Sequence, residues 1–308
     1  MRYKGRRRSS NIEDKRGWKI GRKGGIGGGI FSIVAILLYI FLGGDPQSAL
    51  QFLQGGNEYT EASTDYQPTQ QEEELEEFVS VVLADTEDVW HKLFSASGMV
   101  YREPKLVIFS GEVKSACGLS AAATGPFYCP GDERIYIDLL FLEQLQEKLG
   151  AGGDFAMAYI IAHEVGHHVQ NLMGTVNEVN ALRQQLSQKQ YNELNVRLEL
   201  QADFYAGVWA HHAQKMKDVL EQGDVEEAMN AARAVGDDRI QMQTQGRVVP
   251  DAFTHGSSSQ RVHWFKKGFT TGNLKEGNTF DPGAVQEVTS ADESEEHRVK
   301  GSSINNLF

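Results

Sequence analysis

The stretch AHEVGHHVQN, residues 162–171, places three histidines and one acid within six positions. On an α-helix, His163 and His167 stack one turn above the other on a single face. Two imidazoles at that spacing reach one zinc ion with Zn–N distances of about 2.0–2.1 Å. Glu164 lies about 100° round from His163. That is too far for a natural third ligand but suits contact with a water held on the ion, as general base. This is the H-E-x-x-H arrangement of zinc hydrolases. His168, about 140° from His163, is expected to point elsewhere, at the surface or in support of the site. The bland alternative is a polar helix stripe that uses histidine by accident. Against it stand the apolar side formed by Ala156, Tyr159, Ile160 and Val169, and the small residues Ala162 and Gly166, which leave room for a neighbour.

A catalytic zinc takes a third protein ligand and keeps one position open. The metzincin continuation fails here, because Gln170 and Met173 stand where that pattern has glycine and histidine. The next acidic stretch within apolar surroundings is RLELQADFYAGVWA, residues 197–210. Glu199 and Asp203 share a helix face. Glu199 suits the third ligand, and Asp203 suits acceptance of the outer N–H of a ligating histidine, which fixes its tautomer. An ordinary acidic surface is the competing reading, but buried carboxylates need partners, and a metal with its histidines supplies them. Glu193 and Glu178 are reserve ligands. His255, beside Gly256, is the candidate donor for a developing oxyanion, with His263 and Tyr205 as alternatives. A plain loop histidine is the competing reading of His255.

These residues need helices to hold them. A strand is expected at KLVIFSG (105–111) and a half-exposed strand at ERIYID (133–138). Helices are expected from Leu75, over 139–149, from an N-cap at Asp154 to about Met173, over 176–216 with a break near 187–195, and over 225–245. Residues 246–282 read as loop, although SSQRVHWFKKGF could begin with a helical turn. The implied class is α+β, mostly helical.

The net charge of −12 is uneven. Residues 1–23 carry ten Lys/Arg against Glu13 and Asp14, so that segment is +8 and the remainder −20. An acidic body is a poor nucleic-acid binder. The basic segment leads into IGGGIFSIVAILLYIFLGG (26–44), which has no charge and comes close to spanning a bilayer. An uncleaved anchor is preferred to a cleaved signal peptide or a buried core helix. The expected organisation is a basic cytoplasmic segment (1–25), a transmembrane helix (26–44), a flexible linker (45–74), a catalytic domain (75–283) and a disordered acidic tail (284–308). That makes a single-pass membrane protein with its N terminus in the cytoplasm and its domain outside it. Cys117 and Cys129 then form one bridge, or remain free and buried.

Four separated blocks, ACGLSAAATGPFYCPGDERIYID, HEVGHHVQN, RLELQADFYAGVWA and THGSSSQRVHWFKKGF, together resemble the neutral zinc metallopeptidase family. The resemblance covers roughly residues 75–282. It implies a zincin-like (gluzincin) core, zinc held by His163, His167 and Glu199, Glu164 as base, a peptide or protein substrate, and an edge strand, ERIYID, that aligns it. Phe204 and Asn278 depart from the family's cysteine-bearing pattern, which leaves Cys117–Cys129 as the one available intrachain bridge. The rival from another class is a membrane-tethered zinc-binding adaptor without turnover. Glu164 argues against that rival, since a structural site gains nothing from a base one residue after its first ligand.

Overall fold

The computed structural model describes residues 1–22, 57–62, 66–121, 125–149, 153–281 and 283–284. The expected membrane span at 26–44, most of the linker and the tail from 285 lie outside the described residues. Among the described residues no helix is long and apolar enough to cross a membrane.

Strands β1 (Ile12–Asp14), β4 (Lys105–Phe109), β8 (Arg134–Asp138) and β7 (Phe127–Cys129) form one sheet in the order β1-β4-β8-β7. The first three run parallel, and β7 is antiparallel at the edge. β2 (Trp18–Arg22) pairs with β3 (Asn57–Ala62), and β5 (Glu112–Ser115) with β6 (Gly118–Ala121). Alternation along β4 and β8 sends Leu106, Ile108, Ile135 and Ile137 into the main core beneath the helices. It sends Val107, Phe109 and Tyr136 into a smaller core with Val113 and Cys129 on the other face. ERIYID is therefore not a half-exposed edge. β8 is an interior strand covered on both sides, and Tyr136 and Asp138 are buried. The edge strands are β1 and, next to β8, β7; β7 is the antiparallel one. Its end is tied to the segment after β5 by the Cys117–Cys129 disulfide.

The helices are α1 (Gln70–Ala96), α2 (Leu139–Leu149), α3 (Asp154–Leu172), α4 (Thr175–Leu182), α5 (Gln188–Lys217), α6 (Asp224–Ala234), α7 (Asp237–Gln245) and α8 (Ser258–Thr271). α1 begins before the expected Leu75 because Thr69 and Glu72 form a capping box. The N-cap of α3 is Gly153, and Asp154 occupies its first turn. The expected helix over 225–245 is two helices that part at Val235–Gly236. The main departure is α8, a full helix inside a segment read as loop. Its entry is a second capping box, Ser257 with Gln260, hidden in a serine-rich run. α8 lies backbone to backbone on α5. A Cβ on Gly207 would stand 2.1 Å from the Phe265 carbonyl, and one on Gly268 2.1 Å from that of Phe204.

The N-terminal segment does not stand apart as a tether. β1 is a strand of the main sheet, Met1 packs in the main core, and Arg6 and Arg7 pair with Asp85 and Glu87 on α1. Residues 1–22 are thus packed on the body rather than free, and Arg2, Arg6, Arg7, Arg8 and Arg16 each meet a carboxylate.

Candidate metal centre

α3 and α5 cross where neither has bulk. A Cβ on Gly166 would lie 3.0 Å from the Ala202 carbonyl oxygen and 3.1 Å from its Cα. That close approach brings Glu199 of α5 over the histidine face of α3. Glu199 Oε2 is 3.2 Å from His163 Nε2, and Glu199 Oε1 is 3.5 Å from His167 Nε2. The ligand atoms of all three residues lie within 4.8 Å of one another. Donors about 2.1 Å from one tetrahedral ion stand roughly 3.4 Å apart, so the observed separations fit a single zinc. Two imidazoles and a carboxylate are also the donor set that zinc accepts.

The outer nitrogen of each histidine is held. Asp203 Oδ1 accepts from His163 Nδ1 at 2.8 Å, and Gln170 Oε1 accepts from His167 Nδ1 at 2.9 Å. Asp203 is fully buried and is gripped by Arg261, whose Nε and Nη2 donate at 2.8 and 2.9 Å. Tyr159 donates its hydroxyl to the same carboxylate. Gln170 is fixed through its amide N–H groups to the Leu198 carbonyl and to Gln201. Both Nε2 atoms are thereby left for the ion.

Burial opposes charge on Asp203, but Arg261 and His163 outweigh it and hold its pKa down at about 2. Burial likewise opposes an imidazolium at His163, yet Asp203 and Glu199 push that pKa up to about 9. Glu199 is held well below the usual carboxylate range against its burial, by His167, His255 and His163. Burial raises the Glu164 carboxyl, only partly offset by His167 and His163 and by a hydrogen bond from the main-chain N–H of Tyr128.

His168 is not a surface residue. It is fully buried, with Nε2 2.6 Å from the Arg102 carbonyl and Nδ1 3.0 Å from the Tyr128 hydroxyl. It therefore fastens α3 to β7. His255 is buried beside Asp237, whose Oδ1 lies 3.1 Å from His255 Nδ1. Asp237 Oδ2 also accepts the main-chain N–H groups of Thr254, His255 and Gly256. Burial disfavours its imidazolium, but Asp237 and Glu199 outweigh that and raise its pKa. Glu199 thus couples His255 to the cluster.

The other candidates fall elsewhere. Tyr205 directs its hydroxyl at Met173 Sδ and packs edge-on against Trp90. His263 is exposed on α8, edge-on to Trp264. Glu178 and Glu193 are exposed and outside the cluster. Gln170, Asp237 and Arg261 were missed. Gln170 was legible in principle, one turn beyond His167 on the same helix. Asp237 and Arg261 lie on other elements and left no local signal.

A family model described as "Putative neutral zinc metallopeptidase" matches residues 1–280. The chain belongs to that family. It is 47% identical over 288 residues to "Uncharacterized protein YpfJ" of Escherichia coli K12, covering 91% of this chain and 99% of the relative. It is 43% identical over 202 residues to "Uncharacterized protein Rv2575" of Mycobacterium tuberculosis H37Rv, covering 62% of this chain and 66% of that protein. No solved structure matches it. The family match begins at residue 1 and so takes in the N-terminal segment that packs on the domain.

Proposed function

We propose that the protein is a zinc metallopeptidase that hydrolyses peptide bonds of a peptide or protein substrate. The observation that carries this reading is the convergence of His163, His167 and Glu199, with Glu164 one residue after His163 on the same helix. Zinc, when bound by the two imidazoles and the carboxylate, supplies Lewis acidity that lowers the pKa of water and polarises a carbonyl.

The remaining work falls to the chain. Glu164, buried and with a raised pKa, accepts the proton of the attacking water and passes it to the leaving amine. His168, bonded to the Tyr128 hydroxyl, holds α3 against β7, the edge where an extended peptide adds a strand by main-chain pairing. His255 steadies the developing oxyanion. Asp237 engages its Nδ1, which leaves Nε2 as the donor, and the nearby carboxylates favour the protonated ring. Asp203 and Gln170 hold the two ligating rings in the tautomer and orientation they need.

The decisive test is Glu164→Gln. That variant should retain one zinc per chain and lose at least about 10²-fold in cleavage of an unfolded test protein such as casein. Undiminished cleavage would reject the assignment. A parent chain that binds zinc and unfolded protein but cleaves nothing would favour the adaptor reading. Attachment to a membrane through residues 26–44 is part of this proposal and rests on the sequence alone.

A further inference from the structure

The single-pass arrangement expected from the sequence separates residues 1–22 from the domain by a bilayer. The fold holds them together. β1 runs parallel to β4 in the register Ile12↔Leu106 to Asp14↔Ile108, and it covers what would otherwise be an open edge of the main sheet. Main-chain bonds continue on both sides of the strand, from Leu106 N–H to the Asn11 carbonyl at 2.8 Å and from Lys15 N–H to the Ile108 carbonyl at 2.7 Å. On α1 the carboxylates of Asp85 and Glu87 are almost fully buried. Asp85 takes Arg6 at 2.7 Å together with Lys217. Glu87 takes Arg7 at 2.9 Å, Asn11 at 2.9 Å and the Ser9 hydroxyl. Among the described residues the side-chain partners of Glu87 are Arg7, Ser9 and Asn11, so their removal leaves a buried charge without compensation. Tyr3 stacks edge-on against Phe78 at 5.1 Å.

The route of the chain agrees. β2 leaves this segment and pairs antiparallel with β3, which places Arg22 directly opposite Asn57. A chain that departs at residue 22 and rejoins at a neighbouring position crosses any membrane an even number of times, or not at all.

We infer that residues 1–22 are a constituent of the domain that carries the candidate metal centre and lie on the same side of the lipid bilayer as that centre. The basic residues of the N terminus serve the acidic domain and do not act as a positive-inside signal on the opposite side. This inference does not depend on hydrolysis and stands or falls separately from it.

Two measurements test it. Ser10 and Ser95 are both exposed, the first beside β1 and the second on α1. Full chains carrying Ser10→Cys or Ser95→Cys are probed in expressing cells with a membrane-impermeant maleimide, before and after permeabilisation. The parent chain, with its two cysteines bridged, supplies the blank. Both sites should react under the same condition. Reaction of one in intact cells and of the other only after permeabilisation overturns the inference. In the second measurement residues 23–56 are replaced by Asn-Gly, which closes a two-residue hairpin between paired positions. This chain should melt within a few degrees of the parent, whereas a chain lacking residues 1–56 should melt lower by roughly 10 °C or more. An Asn-Gly chain that melts no higher than the deletion also overturns the inference.

Discussion

Among the described residues, two clusters bring three ligand-type side chains within reach of one point. One is His163, His167 and Glu199; the other is Asp154, Asp224 and Glu227. They differ in what stands behind the ligands. In the first, each imidazole has its outer nitrogen fixed by a buried partner, and those partners are fixed in turn by Arg261, Tyr159 and Gln201. In the second, two of the carboxylates meet a buried cation, the amino group of Met1, which pairs with Asp154 and lies 3.5 Å from Asp224. Glu227 caps the main-chain N–H of Phe155 at the start of α3. The second cluster is already compensated and organises a helix terminus. The first has two nitrogens and a carboxylate turned inward on one another, an arrangement that an ion would complete. Proximity of donors is shared by both clusters; the layer that aims them is not.

The comparison breaks most sharply on metal content. Purified protein carrying His163→Ala and His167→Ala should fall from one zinc per chain to nearly none by elemental analysis, while Asp224→Asn should stay at one. A loss of zinc in Asp224→Asn would make the second cluster the metal site. Next in size is His255→Ala, which should keep its zinc and lose about 10²-fold in kcat with little change in KM. An unaltered kcat would return His255 to the role of a loop histidine. Asp203→Asn should weaken zinc binding about 10- to 100-fold in a competitive chelator titration. Gln170→Ala should act in the same direction with a smaller effect, because it replaces a neutral partner rather than an ionised one. Equal affinity in all three proteins would mean that the layer behind the ligands does not aim them.

The smallest effect concerns pH. Burial, together with Asp224 and Asp154, raises the Glu227 pKa above its ordinary 4.5. The folded chain then binds more protons at this site than the unfolded chain, and stability falls as pH rises through the window above 4.5. Glu227→Gln retains an acceptor for Phe155 and removes the titration. Its melting temperature should decline less than the parent's across that window. Parallel pH profiles for the two proteins would reject the assignment of like-charge strain to this cluster.

The two histidines, the base and the pairing of Glu199 with Asp203 were legible because helical periodicity alone puts residues four apart on one face. The helices were legible for the same reason, except where a short signal was masked. The capping boxes at Thr69 and Ser257 start α1 and α8 within polar runs that look like linker or loop. The alternation of Arg134 and Asp138 with isoleucines reads as a half-exposed strand and the family resemblance implies an edge, but β8 is interior and both of its faces are covered. The packing of the basic N terminus on the domain is not legible in sequence, because charge and hydropathy report composition, not the carboxylate that Arg6 or Arg7 meets.

The sequence by itself determined the chemistry on offer: a zinc-type donor set with a neighbouring base, on a helix made to be buried. Tertiary structure alone decided that Glu199 meets both histidines, that Gln170 and Arg261 stand behind the cluster with Asp237 beside His255, and that residues 1–22 pack on the domain. The physical reason is range. Helical geometry fixes side chains a few residues apart, whereas contacts such as Arg261 with Asp203 or β1 with β4 join residues tens of positions apart and exist only once the core has formed.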